Sequence, residues 1–78
     1  MSRIRELRED RDLSQAAIAE ILKTTQQQYS KIETGKSDIS GEKLRLLARF
    51  YNISADYILG LTDDPRPLYG KRLSTKNT

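Results

Sequence analysis

Three glutamines stand in a row at 26–28, behind Thr25 and just ahead of Tyr29 and Ile32. A glutamine carboxamide carries an acceptor and two donors in one plane. It can pair with N7 and N6 of adenine together, worth roughly 1–3 kcal/mol of base discrimination. On a helix turning about 100° per residue, Tyr29 and Ile32 define an inward direction. Gln27, Ser30, Lys31 and Thr34 then point away from it, and Gln26 and Gln28 lie on the shoulders. The outward surface is amide, hydroxyl and one ammonium, without the Glu–Lys ladder of an ordinary solvated helix. Gln26, Gln27, Gln28, Ser30 and Lys31 are therefore the candidate base-reading residues.

Four further residues are candidates for phosphate contact. Gln15 follows Ser14 at a helix start whose free N–H groups favour an anion. Thr25 opens the glutamine helix, Lys36 follows Gly35, and Lys43 lies near the start of a later helix. Arg8 and Glu33 form a different constellation. Each charge sits on or beside an inward stripe, and each is best explained by the other. A half-buried Arg–Glu pair would tie the first helix to the third, a structural role and not a catalytic one.

Catalytic chemistry finds little support. The chain has no Cys and no His, which excludes thiol nucleophiles, imidazole bases, disulfides and Cys/His zinc sites. Glu6, Glu9, Asp10 and Asp12 form a solvated charge run and not a convergent site. No enzyme activity, cofactor or metal is expected.

Five short helices would position these side chains. The first covers residues 2–11, with Ile4 and Leu7 on a stripe that Arg8 and Arg11 continue. The second starts at the Ser14 cap and buries Ile18, Ile21 and Leu22. The third starts at Thr25, where Thr25-Gln26-Gln27-Gln28 fits a capping box, and stops at Gly35. Ser40 and Ser54 cap the fourth and fifth. Ile39 with Leu44, and Ile53 with Ile58, make hydrophobic staples across those two starts. Leu44, Leu47, Ala48 and Tyr51 follow helical spacing, and Gly60 ends the last helix. Helices over about 14–22 and 25–34 are separated by Lys23-Thr24 alone. So short a link forces a steep crossing, the helix-turn-helix arrangement in which the second helix enters a DNA major groove.

With 78 residues, one domain is the ceiling, and a large substrate cavity is not expected. Residues 1–62 form the helical domain and 63–78 a polar tail, flexible or in contact with a partner subunit. Hydrophobic residues make up 36% and charged residues 32%, within the range of folded proteins. The net charge is +3, of which residues 1–62 contribute +1 and residues 63–78 +2. The helical part is no general polycation, so nucleic-acid binding must come from local placement of charge. No apolar run reaches the roughly 18 residues of a membrane span, and MSRIREL has no apolar region of a signal peptide. A cytoplasmic location is expected. Tyr57, Leu61, Leu68 and Tyr69 supply apolar surface beyond what the core needs, and are the candidate dimer contacts.

The stretches DLSQAAIAEILKTTQQQYSKIETGK and EKLRLLARFYNISADYIL resemble the lambdoid-repressor, or Xre-type, helix-turn-helix family over about residues 3–61. The features that match are LSQ at the second helix, Ala19, Ser30-x-Ile32-Glu33-x-Gly35, and LxxLAxxY in the fourth. The resemblance implies an all-α, five-helix lambda-repressor-like domain that binds double-stranded operator DNA as a homodimer. It implies base contacts from Gln26, Gln27 and position 31, phosphate contact from Gln15, and a buried Arg8–Glu33 pair. The runner-up within DNA binding is a restriction-modification controller or an antitoxin-type regulator, and a partner protein is a further possible contact. A protein-interaction module without DNA readout is the alternative of a different class. Two departures stand out: Lys23 occupies a turn position often held by glycine, and the 37–41 loop has no Arg or Lys.

Overall fold

A computed structural model describes residues 2–67. Its elements are α1 (Ile4–Asp10), α2 (Gln15–Ile21), α3 (Gln26–Glu33), α4 (Gly41–Tyr51) and α5 (Ala55–Leu59), and no strand occurs among the described residues. This is the five-helix, all-α architecture expected. Leu68 and Tyr69 lie outside the described residues.

The helix starts follow from the side chains that precede them. Ser14, Thr25, Ser40 and Ser54 are extended N-caps whose hydroxyl oxygens accept from the backbone N–H three residues on, at 3.0, 3.0, 3.3 and 3.0 Å. Each such cap contributes about 1 kcal/mol by satisfying a donor that the helix leaves free. α1 is the exception. Arg3 stands at its cap position and makes no side-chain capping bond.

The helix ends share one device. After each helix a residue adopts the left-handed conformation: Asp12, Lys23, Gly35, Asn52 and Gly60, with φ of 55°, 59°, 83°, 59° and 81°. In every case its N–H donates to the carbonyl three residues back, and the next N–H donates to the carbonyl five residues further back than itself. This paired-bond closure satisfies carbonyls that would otherwise lack partners. Only two of the five positions are glycine. Lys23 therefore holds the glycine-like turn geometry itself, and Asp12 and Asn52 do the same without any sequence signal that had pointed to them.

The core consists of Ile4, Ile18, Ala19, Leu22, Tyr29, Ile32, Leu47, Tyr51 and Ile58, so every helix contributes. Full burial of a side chain the size of Leu47 or Ile58 is worth on the order of 1.5–3 kcal/mol. Leu7, Leu13, Ile39, Leu44 and Ile53 pack around that centre. Tyr29 and Ile32 fix the rotation of α3 about its axis, since both are buried on one side of it. α2 and α3 pack closely together, joined only by residues 22–25.

The chain after α5 folds back. Ser54 N–H donates to Pro65 O at 3.0 Å, and Arg3 reaches Thr62 and Asp63. Hydrogen bonds thus cross the expected boundary between residues 62 and 63.

Candidate nucleic-acid interface

Burial of Tyr29 and Ile32 leaves the opposite face of α3 to solvent. Gln26, Gln27, Lys31 and Thr34 are exposed; Gln28 and Ser30 are half-buried. The three glutamines therefore differ. Gln26 and Gln27 stand free at the first turn, while Gln28 sits against the fold and its N–H is held by Thr25 Oγ1. Thr34 turns back on its own helix, donating to Ser30 O at 2.9 Å and lying 3.3 Å from Lys31 O. Its hydroxyl proton is occupied there.

Of the candidate phosphate contacts, Thr25 and Lys36 are exposed and Lys43 is half-buried. Gln15 is half-buried, and its Nε2 donates to Glu33 Oε1 at 3.0 Å. Sequence spacing did not anticipate this bond. It uses one of the two amide N–H groups and leaves the other, with the carbonyl oxygen, for a further partner.

Glu33 is the hub of a polar cluster between α1, α2 and α3. Arg8 Nε donates to Oε2 at 2.6 Å and Nη2 to Oε1 at 3.0 Å, a two-pronged contact. Arg8 Nη1 donates to Leu13 O at 2.7 Å, reaching the link between α1 and α2. The two side chains are 13% and 3% exposed, so the pair is shielded from solvent. Burial pushes the Glu33 carboxyl up, but donation by Arg8, the adjacent Tyr29 hydroxyl, donation by Gln15 and the charge of Arg8 outweigh it and hold it at about 2. The same hydrogen-bonded carboxylate raises Arg8 against the opposing effect of burial. Tyr29 is raised by burial first and by Glu33 second, although its hydroxyl makes no hydrogen bond of ordinary geometry. All three groups therefore keep one protonation state across neutral pH, as a scaffold requires and an acid–base catalyst does not.

The geometry is that of a helix held rigidly at its rear while its front turn is presented outward. The helix-turn-helix family profile matches residues 4–58. The chain belongs to the lambda-repressor-like helix-turn-helix family. This helix-turn-helix chain is 42% identical over 65 residues to the uncharacterized HTH-type transcriptional regulator YobD of Bacillus subtilis (strain 168). The match covers 83% of the chain and 58% of that relative, so the chain spans little more than half its length. No solved structure matches the helix-turn-helix chain.

In this helix-turn-helix protein α2 and α3 are the two helices of the motif, and α3 occupies the place of the recognition helix. Among the described residues no group of acidic, His or Cys side chains could hold a metal ion, and no helix is long and apolar enough to cross a membrane.

Proposed function

We propose that this protein is a sequence-specific transcriptional regulator, acting as a repressor, that binds a near-palindromic operator as a homodimer. Each protomer places α3 in a major groove, and the two grooves are one helical turn apart, about 34 Å. The observation that carries this reading is the exposed amide pair Gln26 and Gln27 at the first turn of α3, on the side opposite Tyr29 and Ile32. Recognition helices enter the groove by their N-terminal end, which brings these two carboxamides to the base edges first.

Lys31 reaches a guanine or a phosphate further along the groove, and Ser30 and Gln28 support the contact from its shoulders. Gln15 donates its second amide N–H to a phosphate while the first remains on Glu33. The same nitrogen then links the duplex backbone to the cluster that sets the angle of α3. Thr25, Lys36 and Lys43 contact flanking phosphates. Occupancy follows protomer concentration or a partner protein. Tyr57 and Leu61 supply the two-fold contact.

Selection of bound duplexes from a random pool tests the reading. The expected product is a motif with dyad symmetry and half-sites one turn apart, richest in adenine where Gln26 and Gln27 dock. A pool that emerges without any sequence preference overturns it.

A further inference from the structure

We infer that residues 61–66 form a strap, latched by Arg3, that opens together with α5 while α2 and α3 stay closed. The strap begins at the C-terminal end of α5 and returns along it. Pro65 O accepts from the Ser54 N–H at 3.0 Å, and the Ser54 hydroxyl, which caps the start of α5, donates to Asp64 O at 3.5 Å. The other fastening is Arg3, just ahead of α1. Its Nη1 donates to Tyr57 O at 2.7 Å and to Thr62 O at 3.0 Å, and its Nη2 to Asp63 Oδ1 at 2.8 Å. Its backbone N–H donates to Ile58 O at 2.8 Å, and its guanidinium carbon stands 4.1 Å from the centroid of the Tyr57 ring. One residue thus holds the last turn of α5 and the first half of the strap at once. Bridging three oxygens while stacking on a ring suits a planar guanidinium; a lysine ammonium is a single point of charge.

Polar bonds hold the strap, and apolar burial does not. Among the described residues, none after Ile58 belongs to the core or packs around it, and Leu61 is 73% exposed. α5 itself has five residues and gives the core Ile58 alone. α2 and α3 instead bury Ile18, Ala19, Tyr29 and Ile32, and Glu33 ties both to α1. Segments with few buried apolar contacts open at a lower free energy than the rest of a domain. Bonds inside the strap, such as Asp64 N–H to Thr62 Oγ1 at 3.2 Å and Arg66 Nη2 to Asp64 Oδ2 at 2.7 Å, shape it without fastening it to a helix. The latch also sets where the chain continues. Closed, it pins residue 65 beside the start of α5. Open, residues 61–67 can span up to about 23 Å. Residues 68–78 carry Lys71, Arg72 and Lys76 and no carboxylate, so Arg3 governs how far a positively charged segment reaches from the domain.

The test uses the full chain as wild type, R3A, R3K and E33Q, with amide hydrogen exchange and backbone relaxation read residue by residue. In wild type, residues 62–66 should be as restricted as α4 on the fast timescale. The Ser54 and Ile58 amides should nevertheless exchange about tenfold or more faster than those of Tyr29 and Ile32, after correction for intrinsic rates. R3A is expected to speed Ser54 and Ile58 by about a further tenfold, and R3K by roughly threefold. E33Q lies outside the opening unit, so it should speed Tyr29 and Ile32 and leave Ser54 and Ile58 as they were. A folded R3A whose Ser54 and Ile58 exchange like wild type overturns the inference. So does an E33Q that speeds all four amides alike, since the chain then opens only as a whole. Residues 62–66 that already move freely in wild type are equally fatal, because there is then no strap to latch. Should R3A fail to fold, R3K decides, and unchanged exchange at Ser54 and Ile58 there removes Arg3 as the latch.

Discussion

Arg8 and Glu33 meet in a two-pronged contact of 2.6 and 3.0 Å that fastens the last residue of α3 to the last turn of α1. The turn proposed to read bases is at the other end of the same helix. In the proposed complex, loosening Glu33 would free the rear of α3, so stability and DNA affinity would be coupled through this one carboxylate.

Glu33→Ala leaves the guanidinium of Arg8 shielded and unpaired. Loss of one partner of a buried pair costs about 3–5 kcal/mol. Urea denaturation should show a loss of that size, a large part of the total for so small a domain. Arg8→Leu combined with Glu33→Leu should recover most of it, because two apolar side chains leave no stranded charge. A double variant as unstable as the single one would show that the ion pair itself, and not the absence of an unpaired charge, holds the helices.

Glu33 also sets the acid limit of the fold. Its carboxyl sits at about 2 in the folded chain against an ordinary value of 4.5. A depressed carboxyl contributes stability that is complete above about pH 4.5 and lost as pH falls through 2. The difference corresponds to something on the order of 3 kcal/mol. Denaturation curves from pH 7 to 2 should show wild type losing that amount more than Glu33→Gln over the acid range. Parallel curves for the two proteins would assign acid lability to other carboxylates.

Lys23 is left-handed at φ 59°. For a residue with a Cβ that conformation costs roughly 1–2 kcal/mol. Glycine avoids the cost but loses about 0.5–1 kcal/mol to its freer unfolded chain. Relief is the larger effect, so Lys23→Gly should stabilise by about 0.5–1 kcal/mol in urea titration. Gly35→Ala should do the reverse. Its φ is +83° and an added Cβ would meet nothing within 4 Å, so the penalty is purely conformational. Equal stability of all three proteins would refute the account of these turns.

Gln27→Ala and Lys36→Ala should separate reading from holding. The first should weaken selected-site binding by about 1–3 kcal/mol and leave random duplex binding unchanged. The second should weaken both alike and lower the slope of log affinity against log salt by about 0.9. Gel-shift series at several salt concentrations measure both. Equal loss on random DNA from Gln27→Ala would deny it a base-reading role.

Much of this arrangement was legible before any coordinates, wherever the signal was local. Ser14, Thr25, Ser40 and Ser54 announce helix starts because a cap acts across three residues. Arg8 and Glu33 were legible for a different reason: each is a charge on an inward stripe, and such charges require partners. The Gln15–Glu33 bond was not, since Gln15 reads equally well as a free polar residue at a helix start. Nor was the grip of Arg3 on α5, whose partners lie 54 to 60 residues away and include two backbone carbonyls that carry no sequence signature. Asp12 and Asn52 escaped because aspartate and asparagine serve many kinds of turn besides the left-handed one.

The shared closure at all five helix ends bears on how the protein would meet the DNA proposed as its target. Each helix end is closed by two backbone bonds, which fixes the direction in which the chain leaves it. A DNA reader built in this way would not mould itself to the double helix. In the proposed complex, bending and groove width would be supplied by the DNA, so base steps that α3 never touches would influence which sites it occupies, according to how readily they deform.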